Sequence, residues 1–169
     1  MIDEEPMPMD NFARFSETDR LWVYAFSRPL TDTCLARIES TLQSFISTWT
    51  SHGLPVDGAF AILENRFVLL AGRLKEGISG CSIDSSVRCF KELKNIYDLD
   101  GLDRSLVFYR NTASFIQSVS FFDFQHLVED GTITPQTKVF DNTIENVGHL
   151  RRGEFEINFE NSWHARRFQ

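Results

Sequence analysis

The sequence predicts an α+β fold: a ferredoxin-like βαββαβ antiparallel sheet with two helices on one face, followed by a C-terminal α+β extension. Three observations predict it. Short aromatic and β-branched runs alternate with two longer segments of helical periodicity. Two of the runs, "GAFAILE" and "RFVLLAG", meet at Glu64-Asn65-Arg66, as strands of a tight hairpin do. The order of runs and helical segments is β-α-β-β-α-β, the split βαβ pattern.

The elements follow from local chemistry. "MIDEEPMPMD" is acidic and lacks the basic-then-apolar order of a signal peptide, so residues 1–18 read as a flexible acidic arm. The ferredoxin-like module covers residues 19–111. "LWVYAFS" is its first strand, stopped by Pro29, and Thr31 is placed to cap the helix that follows. Leu35, Ile38, Leu42, Phe45, Ile46 and Trp49 recur at helical spacing up to Gly53. After the hairpin, "RLKEGISG" leads to a second helix with Ile83, Val87, Phe90, Leu93 and Tyr97 inward. "DLDGLD" breaks that helix, and "SLVFYR" is the fourth strand. Residues 112–169 form the extension, with "SFIQSVSF", "TKVFD" and "FEINF" as strands and Phe121–Glu129 as a helix ended by Gly131.

Composition narrows the function classes. The net charge of −7 argues against nucleic acid and anionic membranes as partners. No apolar run approaches the ~20 residues of a membrane span, so a cytoplasmic location is expected. Cys34, Cys81 and Cys89 are odd in number and widely spaced, as reduced thiols are. The four histidines show no metal-ligand spacing, and neither a metal nor a cofactor is expected. Sixteen phenylalanines fill a core without supplying chemistry.

In a βαββαβ sheet, chain direction brings the end of the first helix, the start of the second and the end of the fourth strand to one rim. That places His52, the Ser79-Gly80-Cys81-Ser82 loop with Asp84, and Arg110 together. The unpaired amides at a helix start favour an anion, either a bound ligand or the Cys81 thiolate itself. Each residue also has a plainer reading. Cys81 can be a packing residue, Ser82 and Asp84 helix caps, and His52 a cap on the preceding helix. Cys34 and Cys89 read as packing residues. "NSWHARRF" holds Trp163, His164 and Arg166, which either anchor the chain end by aromatic burial or supply His164 and Arg166 to a site.

"WTSHG", "SGCSIDSSV", "TKVFDNTI" and "NSWHARRF" together resemble a family of short, uncharacterised bacterial proteins, some of them labelled ABC transporter ATPase. The resemblance covers nearly the whole chain from Arg20 onward. It falls on Trp49, His52, Gly53, Ser79–Asp84, Trp163, His164 and Arg166. It implies no activity. The ATPase label lacks its motif here, since "GISGCSID" has neither the spacing nor the lysine of a P-loop.

Three functions follow as expectations. The leading one is binding of a small anionic ligand or a protein at the His52 and Ser79–Asp84 rim, with Ser79, Gly80, Ser82, Asp84, Arg110, Trp163 and Arg166 as contacts. The second is an enzyme or redox protein using Cys81 as nucleophile with His52 or His164 as base. The third is a protein–protein interaction module.

Overall fold

The computed structural model of the chain describes residues 8–74 and 80–169, and the side chains of 9–74 and 85–169. Strand β1 (Arg20–Ala25) leads through Pro29 to helix α1 (Asp32–Thr48). The Thr31 hydroxyl accepts from the Cys34 amide at 3.3 Å, the cap its position suggests. Trp49 ends the helix, and a small hairpin follows, β2 (Thr50–Ser51) and β3 (Leu54–Pro55). Strands β4 (Asp57–Leu63) and β5 (Phe67–Arg73) form the expected hairpin, and helix α2 spans Gly80–Tyr97. Then come β6 (Leu106–Arg110), β7 (Ile116–Ser120), α3 (Phe121–Glu129), β8 (Lys138–Phe140), α4 (Val147–Arg151), β9 (Glu156–Asn158) and α5 (Trp163–Phe168).

The chain is α+β with antiparallel sheets, but the single four-stranded sheet is not formed. One sheet has the order β1-β5-β4, and β6 belongs to a second, β7-β6-β8-β9. The reason lies at the outer edge of β1. The Leu21 amide donates to Glu145 O at 3.0 Å, Arg20 bridges to Asn146, and the Arg104 guanidinium donates to Val23 O at 2.8 Å. With these residues along that edge, β1 has no place for β6 beside it. The split at residue 111 therefore cuts a sheet in two, because β6 pairs with β7 and β8.

The two sheets pack face to face, with helices on both outer sides. Alternate residues of the first sheet, Leu21, Val23, Ala25, Ala59, Ala61, Phe67 and Leu69, meet Phe108, Phe140 and Phe155 of the second unit. The Phe67 ring centroid lies 5.2, 4.8 and 5.1 Å from those of Phe108, Phe140 and Phe155. Many of the phenylalanines are thus spent between the sheets, each burial contributing about 1.5–3 kcal/mol. The other face of the first sheet, with Tyr24, Val68 and Leu70, packs on Ile38 and Leu42 of α1 and Phe90 and Leu93 of α2. The far face of the second sheet, with Val107, Tyr109 and Val139, packs on Phe124 of α3 and Phe168 of α5. The result is four layers, α-β-β-α. It explains why every residue from Phe67 to Gly72 in β5 is buried.

The described part of the N-terminal arm is docked. Phe12 and Phe15 are 1% and 2% exposed within the inter-sheet core. Arg14 and Arg73 both grip Asp57, at 2.9 and 2.8 Å, and both lie over the Phe15 ring. Asn11 and Arg14 donate to Phe60 O and Gly58 O, closing the outer edge of β4. The reading of residues 1–18 as a loose arm thus fails from Met9 onward: its aromatic residues complete a core that the sheets alone leave open. No helix among the described residues is long and apolar enough to cross a membrane.

Candidate functional site

Of the residues expected at one rim, His52 and Arg110 lie at opposite ends of the first sheet. Ser79 lies outside the described residues, as do the side chains of Gly80, Cys81, Ser82 and Asp84. Helix α2 does begin at Gly80. His52 is exposed and does not cap α1, whose last residue is Thr48. It forms the β2–β3 turn with Gly53, both left-handed at φ 50 and 77, a two-residue turn whose twist suits a hairpin. Arg110 sits at the opposite end of the first sheet, bonded to Glu64 in the β4–β5 turn. The correction follows from β6 leaving that sheet: the direction of a strand that does not pair with β1 is not set by β1.

The C-terminal segment is anchored. His164 and Phe168 are buried, and Trp163 donates from Nε1 to Asp141 at 3.2 Å. The His164 ring stacks on Trp163, with centroids 3.9 Å apart, and lies 6.0 Å from Phe124. Its Nδ1 has no partner, and burial pulls its pKa down to about 4 against a weaker opposing pull from Asp141. The imidazole is therefore neutral at neutral pH, and its burial keeps it from meeting a substrate as a base. Arg166 is exposed. Two sheets separate the α5 layer from the His52 hairpin, so the two histidines do not share a pocket.

What the fold does assemble lies at the other end, around the β4–β5 turn. Glu64 and Asn65 are both left-handed, at φ 55 and 51, a backbone state that non-glycine residues adopt at a cost. The turn aims Arg66 inward, and the residue is 4% exposed. Its Nε donates to Phe26 O at 3.3 Å and its Nη1 to Ile116 O at 2.6 Å. Its Nη2 donates to Ser27 O and, at 3.3 Å, to Ser118 Oγ. The guanidinium stands 5.6 Å from the Phe108 ring centroid. It thereby ties the exit of β1 to the edge of β7.

These partners are neutral dipoles; no carboxylate of the described residues lies within ion-pair distance of Arg66. Burial holds its pKa below the usual arginine value. Four of the five guanidinium N–H groups are engaged, leaving one on Nη1.

Arg66 lines a cleft of about 510 Å³ together with Arg28, Glu64, Arg110, the exposed ring of Phe115 and the start of β7. Arg110 is neutralised there: it bonds both oxygens of Glu156, with the Nη2 contact at 3.1 Å, and Glu64 at 2.7 Å. Glu156 first, then Glu64, raises its pKa, against the effect of burial. Arg28 is exposed. Three guanidiniums thus face two carboxylates in the cleft region, on a chain whose net charge is −7.

Sequence reasoning missed Arg66, Arg28 and Ser118. The one available signal for Arg66 was its place directly ahead of the apolar run Phe67–Gly72, which is buried on both faces. Among the described residues, no cluster of histidine, cysteine, aspartate or glutamate could hold a metal ion. No family model matches the chain, and no curated protein and no solved structure matches it.

Proposed function

We propose that the protein is a binding module for a small anionic group, and that the anion sits in the Arg28–Arg66 cleft. One observation carries this reading: Arg66 is buried, charged and without a carboxylate partner. An uncompensated buried charge costs several kcal/mol. A carboxylate or phosphate oxygen meeting the spare Nη1 N–H, with Arg28 closing from outside, would offset that cost. The low dielectric around a buried guanidinium strengthens such a bond. The local excess of positive charge also favours anion approach to an otherwise acidic molecule.

The reading keeps the expected ligand class and moves the site from the His52–Asp84 rim to the opposite end of the sheet. In it, β1, β4 and β5 with α1 and α2 are a split βαβ frame whose fourth strand has been given to the second sheet. A cytoplasmic location and kinship with the short bacterial proteins that share its motifs belong to the same reading. Titration of ¹⁵N-labelled protein with acetate, and separately with inorganic phosphate, tests it. At least one should move the amides of Ser27, Arg28 and Ile116–Ser118 saturably, and Arg28→Glu should abolish the response. Shifts confined to other surfaces would refute the assignment.

A further inference from the structure

The ligand class can be taken one step further from the state of the sheet edges. An unpaired edge strand presents free N–H and C=O groups and invites pairing with another chain. Two edges of this protein are closed by its own residues. Arg104, Glu145 and Asn146 cover β1, and Asn11 and Arg14 cover β4. Strand β9 is only three residues long. Strand β7 is closed less completely: it has five residues, all of them partly exposed, it is an outer strand of its sheet, and Arg66 meets its edge at Ile116 O.

The ladder sets which of its groups face outward. Asn111 N donates to Phe115 O at 2.9 Å, so the antiparallel alternation turns the backbone groups of Ile116 and Ser118 away from β6. Ile116 O is met by Arg66. Among the described residues, no partner from outside the sheet meets the amides of Ile116 and Ser118 or the Ser118 carbonyl. The cleft runs along this stretch, with Ser27, Arg28 and Pro29 as its opposite wall. Phe115, 69% exposed, directly precedes β7, and Phe122, 71% exposed, follows it in α3.

Resting on the anion reading above, we propose that the anion is a carboxylate carried by an extended peptide segment of another protein, which adds as a strand to β7. Main-chain bonds to Ile116 and Ser118 supply the pairing, and the carboxylate seats between Arg28 and Arg66. Five residues of added strand span about 17 Å, the length of β7, with an exposed phenylalanine offered at each end. The charge of the cleft decides between occupants. An acidic segment suits its excess of guanidinium charge, whereas a second copy of this chain would bring the same arginines against it. The carboxylate comes either from an aspartate or glutamate side chain or from a chain terminus.

Short random peptides displayed on phage, selected against the full chain, test this directly. The selected peptides should carry an acidic residue or a free carboxyl terminus at one end and should shift the Ile116 and Ser118 amides. N-methylation of their alternate backbone amides should weaken binding at least about tenfold. Comparing amidated with free termini identifies which carboxylate is used. Unchanged affinity after either pattern of N-methylation would overturn strand addition, as would equal selection by Arg28→Glu. Sedimentation showing a concentration-dependent dimer that protects the same two amides would overturn it in favour of a second copy. If acetate or phosphate still moves Arg28 while no peptide pairs with β7, strand addition falls and the anion site stands. If neither small anion nor peptide moves that cleft, both fall.

Discussion

Acid should weaken this protein through His164 before it weakens it through any carboxylate. The ordinary imidazole pKa of 6.5 applies to the unfolded chain, and burial lowers the folded value to about 4. Protons therefore bind the unfolded state first, and stability that is complete above pH 6.5 is lost as pH falls towards 4. Linkage puts the full loss at about 3 kcal/mol, of which about 2 kcal/mol is gone by pH 5. The carboxylates held low by cations, Asp57 by Arg14, Asp100 by Lys94 and Glu154 by Arg152, act in the opposite window. Their stabilisation is lost only as pH falls below about 4. Urea unfolding followed by tryptophan fluorescence between pH 7 and pH 5 separates the two. His164→Phe keeps a ring against Trp163 and Phe124 while removing the titrating group, so its stability should fall about 2 kcal/mol less than that of the native chain over this range. Parallel pH profiles for the two proteins would show that the His164 ring is not sealed as described.

Other substitutions test the framework. Arg66→Met fills the space but strands the carbonyls of Phe26, Ser27 and Ile116, a loss that removal of the buried charge only partly offsets, and should cost about 1–3 kcal/mol in the same denaturation assay. Phe12→Ala should cost about 3–5 kcal/mol because the ring is sealed between the sheets; a change below about 0.5 kcal/mol would restore the loose-arm reading. Gly53→Ala meets no atom within 4 Å but must hold φ 77, so it should lower stability by roughly 1 kcal/mol through backbone strain alone.

The legible parts of the fold were those governed by neighbours in sequence. Thr31 before a periodic run, three polar residues between two apolar runs, and Phe121–Glu129 ahead of Gly131 each predict an element that forms. The short β2–β3 hairpin escaped because its strands have two residues each, too few for a pattern. The partition into two sheets escaped for a different reason. It depends on Arg104 reaching back to Val23 and on Glu145 meeting Leu21, contacts that local periodicity does not encode. One hint was present: Leu106 and Phe108 are apolar on one face of β6 and Val107 and Tyr109 on the other, which suits a strand covered on both sides rather than the edge strand of a two-layer module. The site suffered most from that error, since Arg110 was carried to the wrong end with its strand. Arg66 went unremarked because a single arginine in a turn ordinarily faces water.

Crystals soaked in bromide test the central claim most directly, since the halide is a small anion whose position anomalous scattering reports. The account predicts a bromide in the cleft between the Arg66 Nη1 and Arg28, beside the β7 edge. Bromide bound at other surface cations with that cleft empty would contradict it.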